Sequence, residues 1–448
     1  MMNRREFNRI LASSATGLLA TDITHGNRPT SQAADKYTIN ADRLRKSLES
    51  LSEYGRNPEG GVSRVAWTEP DIQARRFVID KLMSGIGLDI RIDAAGSIYG
   101  RREGTEKNLP VILFGSHIDS VPKGGNFDGD VGSMSAIEIM RTLYEKKIAT
   151  RHPLECVIWS NEEGVHYGRG LFGSRAVVGE FEPGELDEKD EAGLHIRDAV
   201  RSVGGDLARI EEARRKQGEI AAYIELHIEQ GGLLDKAGIP IGVVEGIVGI
   251  NRYDVKITGF ANHAGTTPMP DRRDALVAAS NLVISVREET MREPGRQVGT
   301  VGKLAVKPGA PNVIPGEVDL VIELRDLSLE KVEAIFSRIE KRAAEIARRT
   351  ETKIDFKQTS SHKPALATPW VRDLIAKEAA GAGFKTMSLP SGAGHDAQML
   401  ARIAPMGMIF VPSAGGISHS PRELTEWQDA ANGCEVLLRT VLAIDKQR

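Results

Sequence analysis

Cysteine is nearly absent: Cys156 and Cys434 are the only two in 448 residues. At most one disulfide can form, which excludes a disulfide-built scaffold. Cys156 lies in the apolar run Leu154–Trp159, where a buried free thiol is expected. Long apolar runs are missing too, so no segment reads as a permanent bilayer span. Charge of one sign is also lacking. A formal net charge of -3 gives no reason to expect nucleic acid as a partner. Aromatic residues are few, 5% against 46 glycines, a balance that suits an α/β protein rich in tight turns. The length favours two domains.

At the N-terminus a paired-arginine segment, Asn3-Arg4-Arg5-Glu6-Phe7, precedes a weakly apolar stretch from Ile10 to Ala20. Ser31-Gln32-Ala33 supplies small residues for a cleavage site. This pattern resembles a twin-arginine export signal over residues 1–35 and implies a periplasmic location. The plainer alternative is a basic N-terminus on a cytoplasmic protein.

Beyond it, Val111–Gly115, Leu154–Trp159 and Ala222–Leu226 read as strands buried on both faces. Helical segments are expected at Gly132–Lys147 and Glu191–Val203 between them. Alternation of this kind predicts an α/β fold with a mainly parallel sheet flanked by helices. Near Gly246 the texture changes. Asn251–Gly259, Gly299–Val306, Glu317–Asp326 and Lys353–Lys357 read as strands, Asp274–Met291 and Ser328–Arg349 as helices. The helix Pro369–Gly381, the strand Met406–Val411 and a helix from Glu423 then restore the first pattern. The expected division is a catalytic domain in two parts, 36–247 and 364–448, interrupted by an inserted α+β domain at 248–363.

Chemistry-bearing residues cluster at the ends of the buried strands. His117 follows the first in Gly115-Ser116-His117-Ile118-Asp119, and Asp128 follows in a glycine-crowded loop. A neutral imidazole can ligate a metal while Asp119 holds its other ring nitrogen. A carboxylate such as Asp128 can bridge two cations. Glu162-Glu163 ends the second strand, and adjacent carboxylates in such a place call for a cation. One can ligate while its neighbour moves protons. His227 ends the third strand, and a flexible Gly415-Gly416 pair presents His419. His117, Asp128, Glu163, His227 and His419 make a mixed nitrogen and oxygen ligand set without sulfur, suited to two ions of Zn²⁺, Mn²⁺ or Co²⁺. Between 248 and 363, His263 and Asn312 can donate to the oxygen of a tetrahedral intermediate. Arg325 can grip a carboxylate with two parallel hydrogen bonds. Taken singly, each motif has a plain structural alternative, from a capped turn to a surface ion pair.

Together and in this order, the motifs closely resemble the amidases of the hydantoinase/carbamoylase family, within the aminoacylase-like di-metal peptidase clan, from about Lys36 onward. The resemblance implies a metal-dependent hydrolase that cuts the C–N bond of N-carbamoyl-L-amino acids or related ureido acids, releasing ammonia, CO₂ and the amino acid. It implies that His117, Asp128 and His227 hold one ion, Zn²⁺ first, and that Asp128, Glu163 and His419 hold the other. Glu162 matches the family's general base. Gln230, His263, Asn312, Arg325 and Gly394 match substrate-binding positions. The inserted domain is similar to the family's lid and dimerisation domain, implying a homodimer. Allantoate amidohydrolase, metallo-aminoacylase or dipeptidase activity remain alternatives, as does a non-catalytic ureido-binding role. Retention of Glu162 beside the whole ligand set argues against the last.

Overall fold

The computed structural model describes residues 38–447; the expected leader lies outside the described residues. The chain first lays down β1 (Asp89–Ile92), β2 (Ile98–Arg102), β3 (Val111–His117), β4 (Leu154–Trp159), β5 (Ile220–Ile228) and β6 (Ile241–Ile247). β7 (Gly249–Thr258), β8 (Val298–Lys307), β9 (Glu317–Asp326) and β10 (Lys353–His362) follow. β11 (Ala365–Leu366), β12 (Thr386–Ser391) and β13 (Met406–Val411) come last.

The first and last groups make one nine-stranded sheet, ordered β1-β2-β4-β3-β5-β13-β6-β11, with β12 beside β6. Its centre, β4-β3-β5-β13, is parallel. The pairs β1-β2, β2-β4, β13-β6 and β6-β11 are antiparallel, while β12 joins β6 in parallel. β3, β4 and β13 are buried at every residue, because helices cover both faces. Ile112 and Phe114 pack with Met140 and Leu437 from the helices Asp130–Glu145 and Trp427–Asp445. Val111 and Leu113, pointing the other way, pack with Ala397 and Leu400 of the short helix Ala397–Leu400.

The second sheet, β10-β7-β9-β8, is antiparallel throughout. In β9 burial alternates with the pleat. Val318, Leu320, Ile322 and Leu324 face the helices Ala275–Met291 and Leu329–Thr350. Each helix starts at a side-chain cap: Asp274 accepts from Leu276 and Val277, and Ser328 accepts from Lys331. The opposite face of the sheet carries Arg252, Glu323 and Arg325.

Several elements differ from the sequence reading. β6, β11 and β12 have no counterpart in the sequence pattern. Two glycines and a glutamate blur any period in Ile241–Ile247, and Pro390 interrupts Thr386–Ser391 where its register with β6 slips. The helix expected from Glu191 begins only at Ile196, because Gly193 turns at φ +86 and Lys189 bridges to His195. The last helix starts at Trp427 rather than Glu423, since Glu423 is committed to other contacts. His117 and His227 lie within β3 and β5, not after them. Both cysteines are buried and free. Among the described residues, no helix is long and apolar enough to cross a membrane.

One buried ion pair locks the approach to the carboxyl edge of the sheet. Arg64 is 1% exposed; its guanidinium donates to the carbonyl oxygen of Ile118 at 2.5 Å and to those of Leu51 and Tyr54 at 3.0 Å. Its remaining arm meets Asp130 at 2.5 Å. Removing one partner of such a pair strands the other charge. Arg64→Ala is therefore expected to cost about 3–5 kcal/mol of stability, read as an earlier urea midpoint. A midpoint equal to the wild type's would refute this role.

Candidate metal centre

The ligand-type residues converge at the carboxyl edge of the parallel strands, where α/β sheets place their sites. β3 delivers His117 and β5 delivers His227; the segments after β4 and β13 deliver Glu162, Glu163 and His419. Asp128 comes from the loop before the helix Asp130–Glu145. That loop closes tightly because of Gly129, which turns at φ +67. A Cβ there would sit 2.5 Å from the His117 ring. Only glycine satisfies both constraints.

The Asp128 carboxylate lies among three imidazoles. Oδ1 is 3.1 Å from His227 Nε2 and 3.7 Å from His117 Nε2. Oδ2 is 3.3 Å from His419 Nε2, which is itself 3.4 Å from Glu163 Oε2. Two triads result, His117–Asp128–His227 and Asp128–Glu163–His419, each with its ligand atoms within 4.8 Å of one another. Backbone carbonyls orient the buried rings. His117 Nδ1 donates to the Asp119 oxygen at 3.0 Å and His227 Nδ1 to that of Ile228 at 2.9 Å, which turns both Nε2 atoms toward Asp128. This corrects the role expected of Asp119. Its carboxylate stands 3.8 Å from the His117 ring and accepts instead from the backbone N–H groups of Glu162, at 3.2 Å, and Glu163, at 3.1 Å. Asp119 thus anchors the acidic pair.

The electrostatics fit divalent cations. Burial and the Glu163 charge push the Glu162 carboxyl well above its usual range. Burial and Asp128 push Glu163 up to about 8. Burial alone would raise Asp128, but His227, His419 and His117 hold it well below normal. The hydrogen bond to Asp128 raises His419 to about 9. In His227 burial opposes protonation, yet Asp128 and Glu225 outweigh it and carry the ring to about 9. Clustered carboxylates that draw protons onto neighbouring imidazoles mark a place where cations can replace those protons. Glu163 Oε1 is buried without a partner among the described residues, an acceptor left for such an ion. Asn161, Gln230 and His419 all hold left-handed backbone, at φ 51, 57 and 52, strain of the kind that functional sites store. A further grouping, Glu225, His227 and His395, also lies within ligand distance. There both Glu225 oxygens are occupied, by Ser116 and by Tyr223 and the Ala397 N–H, so it forms a buried network behind His227.

A cleft of about 400 Å³ opens over the centre; Glu162, Gln230 and Gly394 line it beside the ligand-type residues. Gln230 donates to Asp128 Oδ2 at 2.7 Å. His263, Asn312 and Arg325 are not among the lining residues. The segments of His263 and Asn312 stand together, the Ala264 N–H donating to the Asn312 backbone carbonyl at 2.9 Å, and Asn262 and Thr266 of the same turn border a separate hollow. Arg325 is spent on Glu323 at 2.7 Å and on the Gly392 carbonyl at 2.5 Å. Sequence reasoning passed over two residues. Arg252 lines the cleft but offered no motif. Glu423 stood in the run around His419, yet nothing local revealed a partner nearly 300 positions away. Its Oε1 accepts from the N–H groups of Phe127 and Asp128 at 3.0 Å. Its Oε2 lies 2.8 Å from the Ser418 hydroxyl and accepts from the His419 N–H at 3.3 Å.

The chain matches peptidase family M20/M25/M40 over residues 113–443. It is 41% identical over 403 residues to an N-carbamoyl-L-amino acid amidohydrolase of Geobacillus stearothermophilus, covering 90% of this chain and 98% of that one. With an allantoate amidohydrolase of Escherichia coli (strain K12) the identity is 35%, over 88% of this chain and 95% of the relative. A crystal structure of a hydantoinase/carbamoylase family amidase from Burkholderia multivorans superposes with a TM-score of 0.84 at 33% identity, covering 92% of this chain and 99% of that one.

Because Glu423 clamps the Asp128 loop to the His419 loop, it positions ligand-type residues from both triads at once. Glu423→Gln keeps the volume but replaces one acceptor oxygen with a donor. Affinity for divalent cations, titrated against a chromogenic chelator, is expected to fall about 10–100-fold with the far-UV spectrum unchanged. Undiminished affinity would contradict the clamp.

Proposed function

Because the chain belongs to the hydantoinase/carbamoylase amidases of peptidase family M20/M25/M40, we propose that it hydrolyses the ureido C–N bond of N-carbamoyl-L-amino acids. The observation that carries this is the pair of triads sharing Asp128, with Glu162 beside them and outside both. In this reading His117, Asp128 and His227 hold one divalent ion, and Asp128, Glu163 and His419 hold the second. Zn²⁺ suits the donor set best, with Mn²⁺ and Co²⁺ as alternatives. Bound there, the ions supply Lewis acidity to the ureido carbonyl and the attacking water.

The side chains do the rest. Glu162, with Oε2 only 3.7 Å from His117 Nε2, faces the reaction space. It takes a proton from the attacking water and returns one to the departing nitrogen. Asp119 keeps Glu162 aimed by holding its backbone. Ammonia, CO₂ and the amino acid are the products. Gln230 and Gly394 bound the substrate where they line the cleft. Arg325 receives the substrate carboxylate once it lets go of Gly392, and His263 and Asn312 reach the carbonyl oxygen when the second sheet closes over the cleft. Likeness to the E. coli allantoate amidohydrolase supports allantoate as the alternative substrate.

Two further parts of the proposal rest on resemblance. The chain pairs as a homodimer through the second sheet and its helices, and residues 1–35 direct it to the periplasm by twin-arginine export. Light scattering at the monomer mass would remove the first; full-length protein confined to the cytoplasm would remove the second.

The central test is a panel of N-carbamoyl amino acids, allantoate and dipeptides, given to enzyme stripped by chelator and reloaded with Zn²⁺, Mn²⁺ or Co²⁺. Turnover of the ureido acids should vanish on stripping and return on reloading. Glu162→Gln should retain the metals and lose about 10²–10⁴-fold in kcat. Wild-type kcat in that variant would sink the assignment, and cleavage of dipeptides alone would sink the substrate class.

A further inference from the structure

The cleft is poorly built for an apolar side chain. Of the side chains lining it, only Leu171 and Ala393 are apolar, so an aliphatic or aromatic substituent finds little surface against which to leave water. Cationic character enters from one side. Arg252 projects from β7 opposite Glu323 on β9, on the face of the second sheet turned away from its two helices. Its Nε donates to Glu323 Oε2 at 2.6 Å, and among the described residues neither Nη donates to anything. Arg325 differs: Nε and Nη2 both face Glu323 Oε1 and Nη1 meets the Gly392 carbonyl. Glu323 therefore serves two guanidinium groups with one carboxylate. One positive charge is left over, and the free fork belongs to the arginine that lines the cleft.

We infer that Arg252 is a specificity-determining residue, whose two free Nη groups take a second carboxylate at the far end of the substrate, so that the enzyme favours ureido diacids over ureido acids with apolar side chains. A planar guanidinium with both arms open matches a carboxylate by two parallel hydrogen bonds. Glu323 holds the arginine's root so that little freedom is lost on binding. The identity of the substrate rests on the proposed hydrolysis of ureido acids; the anion site itself does not.

The experiment has two arms. The first compares kcat/KM for N-carbamoyl-L-aspartate and N-carbamoyl-L-alanine in the wild type, R252A and R252K. The diacid-to-monoacid ratio should favour the diacid in the wild type and fall about tenfold or more in R252A. R252K, which keeps the charge but not the fork, should restore it in part. The second arm measures calorimetric binding of glutarate and butyrate to the metal-loaded protein, without turnover. Glutarate should bind tighter than butyrate, and R252A should erase the difference. A ratio that R252A leaves unchanged, or equal binding of glutarate and butyrate by the wild type, would overturn the inference. If no ureido acid is turned over while R252A still erases the glutarate preference, the reaction assignment fails and the anion site stands.

Discussion

Everything at the centre turns on one carboxylate with two faces. Asp128 can serve His117 and His227 through Oδ1 and His419 through Oδ2 only if its loop is held to within a fraction of an ångström. Three features hold it. Gly129 removes the Cβ that would strike the His117 ring, Glu423 takes the loop's N–H groups, and the helix beginning at Asp130 is pinned by Arg64. The carboxylate is 6% exposed, so its orientation is set by protein contacts rather than by water. Each of these contacts reaches a different part of the chain.

The concentration of buried charge explains why so much polar scaffolding surrounds the site. Asp119, Asp128, Glu225 and Asp396 are all buried, and each carboxylate taken out of water must be hydrogen-bonded or paired. Asp119 satisfies its oxygens with the backbone of Glu162 and Glu163, and Asp396 accepts from the Ser174 hydroxyl at 2.5 Å. Glu162 and Glu163, by contrast, keep oxygens that face the cleft or have no partner. Among the described residues, Asp396 Oδ2 and Glu163 Oε1 are both buried without a hydrogen-bond partner, so the unmet acceptors are not confined to the residues that line the cleft.

The two sheets divide the labour. The nine-stranded sheet presents the ligand-type residues from the ends of strands buried on both faces, which gives them rigid roots. The four-stranded sheet brings cationic and neutral polar groups, Arg252, Arg325, His263 and Asn312. Of these only Arg252 reaches the cleft in the described arrangement. Contacts such as Arg325 to the Gly392 carbonyl cross between the two layers. That bond and the one from Arg296 to the Ser388 carbonyl at 2.7 Å are exposed, so both can break without disturbing the core of either layer.

Read alone, the residue order determined the chemistry that was available and where it would cluster. Apolar runs such as Val111–Gly115 and Leu154–Trp159 are plain because burial on both faces leaves almost no polar position, the exception being Glu155, which pairs with Arg101 and Arg215. Histidines and acids at their ends are equally plain. The caps Asp274 and Ser328 and the alternation in Glu317–Asp326 are local effects, and local effects are written in neighbouring residues. Only the tertiary structure decided which atom does what. It gave the His117 ring to the Asp119 carbonyl rather than its carboxylate, bound Glu423 to a loop almost 300 residues earlier, and set β6 and β12 side by side despite their weak patterns. It also spent Arg325 on Glu323 while leaving Arg252 open. These outcomes depend on distances between segments remote in sequence, and such distances arise only when the separate hydrophobic faces pack.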